Sequence, residues 1–150
     1  MHLELEEGGI ERLDAIRPLW ERLNRLHADV TPHFRADFKA YEFEDRKQYL
    51  ESKSTLGEVR VFLITDAGHG IGFCIASLRR DLHGEIESIY IMDEYRGAKL
   101  GDRLMRAALT WMDTNGALTK SVNVVFGNEQ AFPFYAKYGF LPRSTTLLQT

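Results

Sequence analysis

Apolar residues recur at three- and four-residue intervals from Leu13 through Ile16, Leu19, Trp20, Leu23 and Leu26, which places them on one face of an α-helix. Pro18 lies early in this run, so the regular part is expected to begin near Asp14, after a turn at Gly8-Gly9. A second helix is predicted over residues 44–52. Ahead of both, "HLELE" alternates as a short strand does. The period then changes: residues 60–66 and 70–80 are rich in β-branched and aromatic side chains and are joined by "AGHG", which reads as a hairpin. A further turn, "DLHG", leads into "EIESIYIM" (85–92), whose alternation assigns Glu85, Glu87, Ile89 and Ile91 to one face and Ile86, Ser88, Tyr90 and Met92 to the other. A helix over 100–114 follows, with Leu104, Ala107, Ala108, Trp111 and Met112 inward and Asn115-Gly116 as its stop. The chain closes with a strand at 121–126, a short helix in "EQAFPFYAKY" opened by Asn128 and ended by Gly139, and a last strand in "RSTTLLQ".

The strand at 85–92, the helix after it and the strand at 121–126 make a β-α-β unit, which right-handed crossover geometry turns into a parallel pair. Between the first strand and the helix stands "YRGAKLG" (95–101). The first N–H groups of a helix have no intrahelical partner and the helix dipole adds partial positive charge there, so this loop is a place where a phosphate can bind. Gly97 and Gly101 permit close approach, and Arg96, Lys99 and Arg103 add formal charge. A tight turn alone explains such a loop equally well. Neither GxxxxGK[ST] nor GxGxxG occurs, so nucleoside triphosphates and dinucleotides lack their usual cradle.

Composition narrows the field. The 150 residues, 44% of them hydrophobic, suffice for one domain with its own core, and no repeat or low-complexity linker divides them. The formal net charge of −3 argues against a chain that holds nucleic acid by its overall field, so a polyanionic ligand must be held locally. No apolar run approaches the roughly 20 residues that span a bilayer. A single cysteine, Cys74, and an N-terminus without a signal-peptide pattern lead to the expectation of a reducing, cytoplasmic setting. The five histidines show no metal-ligand spacing, so no metal is expected.

Two segments carry a family resemblance. "EIESIYIMDEYRGAKLGDRLM" resembles the acyl-CoA pyrophosphate motif [QR]-x-x-G-x-[GA] of the GNAT superfamily of N-acetyltransferases, and "NEQAFPFYAKYGF" resembles its second motif, N-x-x-A-x-x-F-Y-x-x-x-G-F. The resemblance implies an α/β (α+β) fold: a mixed, mostly antiparallel central sheet flanked by helices, with a β-α-β acyl-CoA-binding core and splayed parallel strands. It implies acetyl-CoA as acyl donor, with pantetheine beside Ile89 and Ile91 and pyrophosphate on the backbone of Arg96, Gly97, Ala98, Lys99, Leu100, Gly101 and Asp102. Lys99 departs from the pattern, standing where the motif's first glycine is usual. Asn128 is either a pantetheine contact or simply a helix cap. Only 11 residues follow Gly139, so the usual last hairpin strand is expected to be missing or reduced, leaving a sheet edge open to a second subunit in a homodimer.

The implied reaction is direct attack of a primary amine on acetyl-CoA in a ternary complex; small-molecule amines, polyamines and peptide amines all fit. The other reading is a non-catalytic acyl-CoA-binding domain. An alkylamine of pKa about 10.4 requires roughly 4–5 kcal/mol to reach its nucleophilic form at pH 7, so a base is needed. The resemblance places an acid near Glu85 and Glu87, with Glu87 favoured. Tyr135 matches the tyrosine of "FY" and would face the leaving thiolate; its other role is a packed aromatic among Phe132, Phe134, Tyr138 and Phe140. For the acceptor, the aromatic and acidic stretch 27–45 offers Phe34, Tyr41 and Phe43 as ring faces for a cationic amine.

Overall fold

A computed structural model describes all residues, 1–150. Strand β1 (Leu3–Gly8) is followed by a 3-10 segment (Ile10–Ile16) and helices α1 (Arg17–Val30), α2 (Arg35–Ala40) and α3 (Phe43–Thr55). Strands β2 (Gly57–Asp66), β3 (His69–Arg79) and β4 (His83–Ile91) lead to helix α4 (Leu100–Thr114), strand β5 (Thr119–Val122) and a short helix α5 (Phe132–Ala136). The five strands stand side by side in chain order: β1 to β4 are antiparallel and β4–β5 is parallel. No helix is long and apolar enough to cross a membrane.

Each face of the sheet has its own core. On one, Leu13, Ile16, Trp20 and Leu23 pack with Phe43 and Leu50 of α3 against Val61, Phe73 and Ile75. On the other, Leu100, Leu104, Met105, Ala108 and Met112 of α4 cover Phe62, Cys74, Ala76 and Ile86. Full burial of such side chains contributes about 1.5–3 kcal/mol each; in α4 the spacing finds Leu104, Ala108 and Met112, whereas Met105 is buried without having been expected inward and Ala107 and Trp111 are only partly covered.

Several expectations are corrected. The first α-helix begins at Arg17 with Pro18 in its opening turn, where a missing N–H costs nothing; the residues before it wind as a 3-10 segment. Helix α2 was not expected, because "RADFKA" buries no residue and so shows no apolar period. Helix α3 starts at Phe43 behind a capping box in which the Glu42 N–H donates to Asp45 Oδ2 (2.8 Å). "RSTTLLQ" pairs with nothing, and Leu147 and Leu148 are exposed, so the last strand does not form.

Two corrections shape the site. Ser88 pairs with Ile75 and Ile86 with Ala76, so Glu87 is the extra residue of a β-bulge in β4. The bulge reverses the alternation: Glu85 and Glu87 point toward α3, whereas Ile89 and Ile91 pack on the α4 side and Tyr90 on the α3 side. The predicted common face of Glu85, Glu87, Ile89 and Ile91 therefore does not exist. The strand predicted at 121–126 is also shifted, to Thr119–Val122, because its pairing with β4 stops where the bulge begins, at Ile86–Val122. Below that point the His83 ring clamps the strands, hydrogen-bonded to Thr119 Oγ1 (2.7 Å) and Ser121 Oγ (2.8 Å). Above it they part.

Candidate active site

The parted strands open a cleft of about 660 Å³. One wall is β4 from Ile86 to Ile91, the opposite wall is Val122–Val125, and the ends are the loop leading into α4 and the α5 segment. Of the predicted acyl-CoA contacts, Ile89, Ile91, Arg96, Gly97, Lys99, Leu100, Gly101, Asp102 and Asn128 line this cleft; Ala98 does not.

The loop is held from outside. The Tyr95 hydroxyl donates to Asp66 Oδ2 at 2.6 Å, fixing it to the β2–β3 hairpin, and Arg96 pairs with Asp93 (3.2 Å). Gly97 has φ +88° and Lys99 φ +58°, so the lysine itself takes the left-handed conformation for which glycine is usual. Lys99 therefore carries the backbone strain of an L side chain at positive φ. Lys99→Gly is predicted to raise stability by about 1 kcal/mol, read as a higher Tm in thermal unfolding.

Asp102, in the first turn of α4, accepts from the Tyr138 hydroxyl (2.5 Å) and from Arg106 Nε (2.9 Å), and these bonds hold its carboxyl below the ordinary range. Asp102 thus ties α4 to the segment after α5 rather than offering a free charge. Asn128 makes no side-chain cap; its Oδ1 accepts from Gln130 Nε2 (3.3 Å) while the residue faces the cleft. Just before it, Gly127 (φ +104°) lies so close to α1 that a Cβ would stand 2.2 Å from the Val30 carbonyl oxygen. Gly127→Ala is predicted to destabilise by about 2 kcal/mol or more, measurable as a lowered urea midpoint, because neither backbone can yield.

Tyr135 lines the cleft from α5, packed edge-on against Phe134 (5.3 Å between centroids) and Phe140 (6.4 Å). Burial, with the Cys74 thiol nearby, pushes its phenol up to about 12. Glu87 also lines the cleft, but its side chain is only 1% exposed. Its Oε2 accepts from Ser77 Oγ (2.6 Å) and Lys53 Nζ; its Oε1 accepts from the Tyr49 hydroxyl (3.3 Å) and stands 3.7 Å from Arg46. Burial alone would lower the Lys53 pKa; hydrogen bonds with Glu87, Tyr49 and Glu85 outweigh it and raise it. Glu85 does not border the cleft and is paired with Lys53 at 3.0 Å.

A side pocket of about 330 Å³ adjoins the cleft, and Leu23, His27, Glu87, Ser88, Asn123 and Val125 border both. Trp20, Phe38 and Tyr41 supply rings, and Asn24, Asp37 and Arg46 the remaining polar groups. Of the predicted acceptor-binding aromatics only Tyr41 is here. Phe43 is 2% exposed in the core, where α3's inward face requires an apolar side chain, and Phe34 borders neither cavity, standing edge-on to His33. His27 is a residue that the sequence reading passed over: burial, then the Arg46 charge, lower its imidazole pKa to about 4, so it is neutral at pH 7. Its position was legible, since Trp20, Leu23, Asn24 and His27 recur at helical spacing. Arg46 gave no such signal, because its partners lie on β4.

Residues 20–140 match the sequence model of the acetyltransferase (GNAT) family. The chain belongs to that family. Over 142 residues, 95% of this chain, it is 26% identical to the uncharacterized N-acetyltransferase YobR of Bacillus subtilis (strain 168), and it covers 44% of that protein. With a second B. subtilis relative covered to 52%, the chain spans about half the length of the curated relatives it matches. Among solved structures it resembles a GCN5-related N-acetyltransferase from Ralstonia eutropha JMP134 (TM-score 0.78, 16% identity, 99% of this chain and 98% of that one). It also resembles the PaiA N-acetyltransferase of Thermoplasma acidophilum in complex with coenzyme A (TM-score 0.73, 23% identity, 97% and 94%). At these identities the likeness is one of fold. The GNAT family and the mixed α/β fold with its β-α-β unit thus stand as the motifs implied.

Proposed function

We propose that the protein transfers the acetyl group of acetyl-CoA to a primary amine by direct attack in a ternary complex. The observation that carries this reading is the meeting of two cavities at one carboxylate: Glu87 is the only acidic residue bordering both the cleft and the side pocket. In this reading pantetheine lies along the edge of β4 that β5 leaves free, at Ile89 and Ile91, and the pyrophosphate rests on the N–H groups of the loop and first turn of α4. Asn128 faces the same channel and is assigned to the pantetheine amides.

The amine enters from the side pocket. Its lone pair forms the C–N bond, the C–S bond breaks, and the electron pair leaves on sulfur as thiolate. Before attack the ammonium gives one proton to Glu87, directly or through a water, which frees the lone pair; the second proton leaves the nitrogen for solvent as the amide forms, so amide, thiolate and two protons balance the step. Tyr135 donates a hydrogen bond to the departing sulfur. A thiol of pKa about 8.5 is a stronger acid than a phenol near 12. Full proton transfer from Tyr135 would run uphill by roughly 5 kcal/mol, so the tyrosine stabilises the thiolate without surrendering its proton. The test is release of free thiol from acetyl-CoA across a panel of amines. Amine-dependent release is expected; CoA binding without release for any amine would make the domain a binding module instead.

A further inference from the structure

We infer that the amine acceptor carries a carboxylate and that Arg46 binds it. The assignment holds only if the cleft acetylates amines as proposed. Arg46 sits in the wall of the side pocket, its side chain 17% exposed. Its Nη2 donates to the Glu87 carbonyl oxygen (2.7 Å) and to Ser88 Oγ (2.9 Å), and the guanidinium stacks 5.1 Å over the Tyr49 ring. These hydrogen bonds fix its position through Nη2 alone. The Glu87 carboxylate is its ion-pair partner at 3.7 Å, beyond hydrogen-bonding distance, while Lys53 is shared between Glu87 and Glu85. Nε is buried without a partner, and none of the protein's hydrogen bonds uses Nη1.

A guanidinium so placed has donor capacity left over for a second anion. Arginine matches the carboxylate in geometry and charge, and a carboxylate drawn out of water needs such a partner. The field of Arg46 is still felt across the pocket, since it helps to keep His27 neutral. Asp37, the remaining charged residue of the pocket, is exposed at its rim. Ser88, to which Arg46 is bonded, borders the cleft as well, so a carboxylate on Arg46 would lie close to an amine placed for attack. The volume of about 330 Å³ suits a molecule of amino-acid size. The ring walls of Trp20, Phe38 and Tyr41 favour an apolar or aromatic side chain on it.

The test measures thiol release from acetyl-CoA by the intact protein with matched triplets: an α-amino acid, its carboxamide, and the amine lacking the carboxyl group. The amino acid is expected to exceed its amide in kcat/KM by about ten- to one-hundred-fold, the range for a hydrogen bond to a charged group. Arg46→Gln is expected to abolish that ratio while CoA affinity, measured by titration, stays as in the unaltered protein. The triplet comparison on the unaltered protein stands even if the variant folds poorly. Equal rates for acid and amide, or preference for the uncharged or cationic amines, would overturn the carboxylate assignment and leave acetyl transfer intact. No release with any of the three would overturn the carboxylate assignment, and no release across the wider amine panel as well would overturn acetyl transfer with it.

Discussion

Tyr135→Phe is expected to lower kcat by about ten- to one-hundred-fold, with little change in CoA affinity. The size follows from removing one hydrogen bond to a developing anion, about 1.5–3 kcal/mol. The split follows from timing, because the bond to sulfur strengthens only as negative charge appears there. The pH behaviour is a sharper check. Burial holds the Tyr135 phenol near 12, so it is the neutral donor at every pH below that value, and the variant's deficit should be constant from pH 6 to 10. Steady-state kinetics of thiol release across that range, with CoA titrations in parallel, test both points. Unaltered kcat would return Tyr135 to the role of a packing aromatic beside Phe134 and Phe140.

Glu87→Gln is expected to have the larger effect, about a hundred-fold or more on kcat/KM at pH 7, the usual scale for loss of a general base. An amine deprotonates unaided as pH approaches its own pKa of about 10.4, so the deficit should shrink from pH 7 to 10. A deficit of constant size would mean that Glu87 acts only by holding Lys53 and the β4 bulge in place. Stability also falls, because half-buried Lys53 loses its closest charge partner and keeps only Glu85. Unfolding measured beside the rates separates the two effects.

Much of the fold was legible because its signals are local. The hairpin of β2 and β3 and the apolar stripes of α1 and α4 each rest on residues a few positions apart. The loop 95–101 and the segment around Tyr135 were legible as motifs, and the cleft brings them together. What escaped is set by tertiary contact. The bulge at Glu87 arises from its register with Ile75 and Ala76, and nothing in "EIESIYIM" announces it; strict alternation therefore misassigned Ile89 and Ile91. The quartet Lys53, Arg46, Ser77 and Glu87 joins residues 10 to 41 positions apart. Phe43, expected to face a substrate, is claimed by the core because it opens α3 on its buried face. Lys99 shows the converse: a residue that breaks the motif's glycine nonetheless takes a left-handed backbone, which glycine adopts without strain.

A crystal structure of the protein with CoA tests the central claim most directly. The account predicts pantetheine between β4 and residues 122–125, the pyrophosphate within hydrogen-bonding reach of main-chain N–H groups of residues 97–102, and the sulfur beside the Tyr135 hydroxyl. CoA seated outside this cleft, or reversed in it with its phosphates toward Glu87, would contradict the account.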